Sequence, residues 1–162
     1  MSTIHLLCGI PASGKSTWAL ADAERTAGLI ISRDVIRFGL LKDGEDYFSK
    51  EDEVFKTFVC TINEALKKNI PHIYLDATHI SSNSRAKILR YINTNGHDLS
   101  VEVFKVDIYT ALERNSKREG RCCVPDTAIQ NMHNSFTIPS FNEFEFYGFK
   151  DITIAVHTPK DR

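Results

Sequence analysis

Short apolar runs and helical periods alternate along this chain, and their order predicts the fold. "TIHLLCG" is an apolar run that stops at Gly9, the pattern of a buried strand. Lys15 to Thr26 reads as a helix, "GLIIS" as a second buried strand, and "RDVIRFGLL" as a short helix closed by "KDGED". In "EDEVFKTFVCTINEALKK" the residues Val54, Phe55, Phe58, Val59, Ile62, Ala65 and Leu66 recur at helical spacing. Acidic residues lead that helix and lysines close it, matching the helix dipole. "HIYLDAT" is a third strand, "NSRAKILRYIN" a helix stopped by Asn95-Gly96, and "SVEVFKVDI" a fourth strand. A polar helix is expected from Tyr109 to Arg121, another from Pro125, and a fifth strand at "DITIAV". Strands that alternate with helices imply an α/β fold: a three-layer sandwich whose central, mainly parallel sheet of about five strands is covered on both faces.

Composition narrows the class. The 162 residues, 42% hydrophobic and 25% charged, suit one soluble globular domain over residues 1–162. A net charge of −1 supplies no bulk attraction to nucleic acid, so any such binding must be local. Cys8, Cys60, Cys122 and Cys123 make no metal-ligand spacing, and a reduced, intracellular, cytoplasmic protein is expected. The N-terminal apolar run has no basic flank and is too short to cross a membrane. His5, His72, His97, His133 and His157 form no ligand pattern and read as structural or surface residues.

Gly9-Ile-Pro-Ala-Ser-Gly14-Lys15-Ser16 fits G-x-x-x-x-G-K-[ST] between a strand and a helix, the Walker A context of a P-loop NTPase. Gly9 and Gly14 permit a tight turn, and the amides from Ala12 to Thr17, Ser13 included, can cradle phosphate at a helix N-terminus. Lys15 is placed to reach the β- and γ-phosphates and the Ser16 hydroxyl to bind Mg²⁺. No N-K-x-D segment follows a strand, which favours ATP over GTP.

Three further constellations carry chemistry. Asp76, at the carboxyl end of an apolar strand, holds the Walker B position, as a metal or acceptor ligand or as a loop cap. "SRDVIR" puts Asp34, Arg37 and Arg33 on one helix face, suiting a general base beside a phosphate-neutralising arginine. The same pair is equally a dipole-favoured Asp with a surface partner. "ERNSKREGR" supplies Arg114, Lys117, Arg118 and Arg121 on one predicted helix side, either a lid over the transferring phosphoryl group, spanning about 114–136, or a solvated charged face.

"GIPASGKSTW", "SRDVIR", "YLDATHI" and "RNSKREGRCCVP" together resemble the successive motifs of the polynucleotide 5′-hydroxyl kinase family, phage members above all, from about Ile4 to Phe136. The resemblance implies that Asp34 is the base for an acceptor 5′-hydroxyl and that Arg37 contacts the acceptor's phosphate. It also implies that Arg118 binds ATP phosphates and stabilises the transition state, with Asp76 supporting metal or acceptor. Thr78 and His79, where relatives carry other polar residues, are the candidates to touch the acceptor. The D-x-D-G-T motif of bifunctional members is absent, so no phosphatase domain is expected. "FTIPSFNEFEFYGF" reads as a covered aromatic loop or a stacking surface, and its Pro139–Glu143 part is similar to a segment near the adenine in related kinases.

The expected activity is therefore transfer of the γ-phosphate of ATP, with Mg²⁺, to the 5′-hydroxyl of DNA or RNA. Two rivals stay open: a kinase of a small-molecule hydroxyl (nucleoside, sugar or antibiotic), and a non-catalytic ATP-binding regulatory module.

Overall fold

The computed structural model describes residues 1–120 and 123–158. Five strands, β1 (Thr3–Cys8), β2 (Leu29–Ser32), β3 (His72–Asp76), β4 (Asp98–Phe104) and β5 (Asp151–His157), form one sheet in the order β2-β3-β1-β4-β5. All four pairings are parallel, as a strand–helix alternation requires. The helices are α1 (Lys15–Thr26), α2 (Arg33–Leu40), α3 (Glu51–Lys67), α4 (Ser82–Tyr91), α5 (Ile108–Ser116) and α6 (Asp126–Ser135).

Strand alternation sorts the core into two sides. Ile4, Leu6, Leu75, Leu99, Val101 and Val103 pack with Phe58 and Ile62 of α3 and Ile88 and Leu89 of α4. Leu7, Tyr74 and Phe104 face Ala19 and Ala23 of α1, with Trp18 against them. The two-sided cover holds over β1 and β3. Along β5, Thr153 and Ala155 stay exposed, and the adjoining Ser100, Glu102 and His157 are polar, so that part of the face has no apolar core to cover.

Three boundaries differ from the sequence pattern, each for a local reason. Helix α4 stops at Tyr91 rather than running to Asn93, because Asn63 of α3 donates to Tyr91 O and accepts from Asn93 N, freeing Ile92 to turn into the core. Strand β4 stops at Phe104, since Asp107 caps α5 by accepting from Thr110 N at 2.9 Å. Helix α5 stops at Ser116 rather than at Arg121. There the buried Asn115 side chain brackets Val124, donating to its carbonyl at 2.6 Å and accepting from its amide at 3.0 Å, which folds the chain toward α6.

Candidate active site

The P-loop runs from the end of β1 into α1. Gly14, at φ 92°, supplies the left-handed turn that starts the helix, and Ala12 takes φ 64°, a conformation costly for a residue with a Cβ. Gly9 is needed for close approach: a Cβ there would lie 2.6 Å from Ser13 Oγ and 3.0 Å from Phe104 Cβ. Thr17 follows in the first turn of α1, and Arg114 reaches back from α5 to donate to Ala12 O at 3.4 Å.

The strand ends bring the chemistry together. Asp76 closes β3 beside the P-loop and accepts from the Ser16 hydroxyl at 2.9 Å. These are two hard oxygen ligands, one neutral and one anionic, at the start of a helix. They fit a Mg²⁺ ion that keeps waters and takes its other ligands from phosphate. Lys15 is buried, and its Nζ donates to Ile10 O at 3.5 Å. Burial lowers its pKa, while Asp76 and Asp34 act the other way by supporting its charge.

Lys15, Ser16, Arg33, Asp34, Arg37, Asp76, Thr78 and Arg118 line one cavity of about 600 Å³. Residues from three strand ends and from beyond α5 thus meet where an open parallel sheet places its ligands, at the carboxyl ends of strands. Arg118 enters from beyond the end of α5, not from its helical face, whereas Lys117 is 74% exposed and pairs with Glu113 at the surface. Arg121 lies outside the described residues.

His79 does not line this cavity. It is 4% exposed, its Nδ1 bonds Leu7 O at 2.8 Å, and its ring stacks on Phe58. Burial depresses its pKa to about 4, so it is a neutral core residue rather than an acceptor contact. Of Thr78 and His79, the structure brings only Thr78 to the cavity.

Besides Asp34, Arg37 is held by two neighbours the sequence did not pair with it, Glu51 and Tyr47. Glu51, the first residue of α3, accepts from Arg37 Nε at 2.7 Å and Nη2 at 3.1 Å, and from Arg33 Nη2 at 3.2 Å. Arg37 Nη1 donates to Asp34 Oδ1 and, at 2.9 Å, to the Tyr47 hydroxyl. Burial opposes the charge of Arg37, but Glu51, Tyr47 and Asp34 outweigh it and raise its pKa. Burial likewise opposes Glu51, yet Arg37 and Arg33 hold its carboxyl below the usual range.

Arg85 is a second network that no local pattern reveals. Its guanidinium, 1% exposed, donates to Glu143 through Nε and Nη2, to His79 O through Nη1 and to Thr137 Oγ1. Glu143 also accepts from Ser140 N, so this carboxylate is committed to structure. Ile138 lines a second cavity of about 420 Å³ beside Ile10, Phe104 and Phe136, and Pro139–Glu143 do not.

Residues 4–139 match the AAA_33 family, described as an AAA domain. The chain belongs to that family. This P-loop kinase is 26% identical over 156 residues to a protein named as a bifunctional polynucleotide kinase/RNA ligase from Autographa californica nuclear polyhedrosis virus. The match covers 88% of the chain but only 22% of that relative. Among solved structures, the kinase is similar to part of the Pnkp1/Rnl/Hen1 RNA repair complex, with TM-score 0.71 and 25% identity over 83% of this chain and 43% of that one. It shares its fold with a sugar kinase from Janibacter sp. HTCC2649, with TM-score 0.67 and 16% identity over 98% of this chain and 86% of that one. No helix among the described residues is long and apolar enough to cross a membrane. Cys8, Cys60 and Cys123 are free thiols, and Cys122 lies outside the described residues.

Proposed function

We propose that this kinase transfers the γ-phosphoryl group of ATP to the 5′-hydroxyl of a nucleic-acid end. The observation that carries the reading is the single cavity that joins Asp34 to Lys15, Ser16, Asp76 and Arg118. A base, a phosphate-binding lysine and a metal-ligand pair in one enclosure are what in-line phosphoryl transfer needs.

In this reading ATP lies along the P-loop amides. Asp34 accepts the proton of the acceptor hydroxyl, whose oxygen bonds to the γ-phosphorus as the bond to the β–γ bridging oxygen breaks, and ADP leaves. Lys15 and Arg118 neutralise the charge that develops on the phosphoryl oxygens. Ser16 and Asp76 would hold Mg²⁺, which supplies Lewis-acid stabilisation of the phosphates when bound. Arg33 and Thr78 border the acceptor.

The apolar wall of the same cavity, with Phe38, Leu41, Phe48, Val124, Pro125 and Met132, supports an acceptor that carries a planar base. The likeness to the polynucleotide kinase/RNA ligase and to the RNA repair complex supports the same acceptor. One observation favours a second reading, a small uncharged or cationic alcohol: Glu45 and Asp46 also border the cavity and would repel a polyanion.

The test supplies γ-labelled ATP and Mg²⁺ with 5′-hydroxyl DNA and RNA oligonucleotides, nucleosides and sugars. Label on the 5′ end, abolished by Asp34→Asn, is the expected result. Label only on a small alcohol would move the acceptor to the second reading, and ATP binding without transfer to any alcohol would leave a nucleotide-binding module.

A further inference from the structure

We propose that Tyr47 is a positioning residue for Asp34, fixing which carboxylate oxygen takes the acceptor's proton. This rests on the reading of Asp34 as the base.

The geometry is specific to one oxygen. The Tyr47 hydroxyl donates to Asp34 Oδ1 at 2.8 Å, and Arg37 Nη1 donates to that same oxygen. Tyr47 is itself oriented from two directions: Arg37 Nη1 donates to its hydroxyl at 2.9 Å, and the guanidinium carbon lies 4.4 Å from the centre of its ring. Arg37 is in turn gripped by Glu51 through two hydrogen bonds. Phe38 and Phe48 pack edge-on against the Tyr47 ring at 6.1 and 4.6 Å, which fixes it further.

A simple staple between α2 and α3 would need only Arg37 and Glu51. It would not need a phenol directed at a carboxylate whose side chain is 59% exposed, while the Arg37 side chain is 6% exposed. An exposed carboxylate ordinarily rotates freely among solvent partners. Two donors on Oδ1 stop that rotation and leave Oδ2 to take the proton, on a residue that lines the cavity the acceptor enters. Tyr47 belongs to the loop between α2 and α3, which is built to hold its shape: Glu45 accepts from Lys42 N at 2.8 Å and pairs with Lys50 at 3.5 Å. Asp34, Arg37 and Glu51 are the charged groups that face the phenol. Burial first, then the neighbouring Asp34 carboxylate, raises the Tyr47 pKa, so the phenol stays a donor through neutral pH.

The test uses Tyr47→Phe, which keeps the ring packing and removes only the hydroxyl. With the acceptor that wild type labels, kcat is expected to fall about tenfold while the KM for ATP is unchanged. An unchanged kcat would overturn the proposal and leave the base assignment standing. A second arm needs no turnover: in ¹³C-tyrosine NMR of wild type, Tyr47 should titrate above the exposed tyrosines, and Asp34→Asn should lower it, leaving the part of the shift that burial causes. A Tyr47 that titrates with the exposed tyrosines would overturn the contact itself. If wild type labels no acceptor and the NMR arm gives the expected shift, the base reading fails while the contact of Tyr47 with Asp34 stands.

Discussion

The Ser16 hydroxyl donates to Asp76 Oδ2 across 2.9 Å, linking the first turn of α1 to the end of β3. The bond joins two elements 60 residues apart and holds both oxygens where one cation can take them. Asp76→Ala and Ser16→Ala should each raise the Mg²⁺ concentration for half-maximal rate by about tenfold, since loss of one ligand or its partner typically costs that much affinity. The double variant should cost less than the product of the two, as residues in one contact are not additive. Chelation of Mg²⁺ should stop transfer in wild type. Rates measured across a Mg²⁺ titration check all three, and independent effects would separate the two residues.

Arg85 and Glu143 make a stability prediction. Arg85 lies in α4 and Glu143 in a short 3₁₀ turn, Phe141–Phe144, so their pair ties the segment before β5 to the core. Glu143→Gln leaves a buried guanidinium without its counter-charge and should cost about 3 kcal/mol. Arg85→Met removes the charge but leaves Glu143, which is partly exposed and can take water, so it should cost less. Urea unfolding of both variants gives the order, and a larger loss for Arg85→Met would show that its bonds to His79 O and Thr137 matter more than charge balance.

The parts of the candidate site that are legible in the sequence share one property: adjacent residues mark them. Gly9 to Thr17 can be read as a cradle because a strand, a turn and a helix start follow one another, and Asp76 because it ends an apolar run. Tyr47 and Glu51 are illegible on the same terms. Tyr47 sits in a polar loop and Glu51 among the acidic residues any helix start favours, and only the packing of α2 on α3 brings both to Arg37. Arg118 was placed on a helix face because helical spacing continues past Ser116. The side chain of Asn115, bonded to Val124 nine residues on, ends the helix first. His79 has the reverse history: next to polar Thr78 it reads as a surface contact, but its φ of 43° turns the ring under the sheet's end into the core.

That burial predicts acid sensitivity. His79 is held neutral by burial, with a folded pKa near 4 against 6.5 in an open chain. A depressed histidine gives stability that is fully present above the unfolded pKa and is lost as pH falls from 6.5 toward 4, by about 3 kcal/mol at most. His72, also lowered by burial, adds to the slope in the same window. His79→Asn retains a donor near Leu7 O, tolerates the positive φ and does not titrate, so its unfolding free energy should fall less between pH 6.5 and 4. Glu102 acts lower down. Burial alone would raise its pKa, but the nearby His5 ring and hydrogen bonds with His157 and Ser100 lower it, so its contribution is present above about 4.5 and is lost as pH falls below that. Glu102→Gln should change only that lower part of a pH series of urea titrations.

Gly9 sets the last prediction, because it separates the P-loop's shape from its charges. A Cβ at position 9 would meet Ser13 Oγ at 2.6 Å, Phe104 Cβ at 3.0 Å and Phe104 O at 3.4 Å. Ser13 is fully buried and Phe104 belongs to the α1-side core, so neither can move without shifting the loop or β4. Gly9→Ala should therefore weaken ATP binding by tenfold or more, on the order of the 1–3 kcal/mol that overpacking costs, while every phosphate-binding side chain remains. Gly39→Ala is the control, since a Cβ there meets nothing within 4 Å and the site lies inside α2, where alanine is the better helix former. Calorimetric ATP titration of both should show the loss at position 9 alone, and equal affinities would mean that the loop yields at Ser13 and that the glycine serves folding rather than the phosphate cradle.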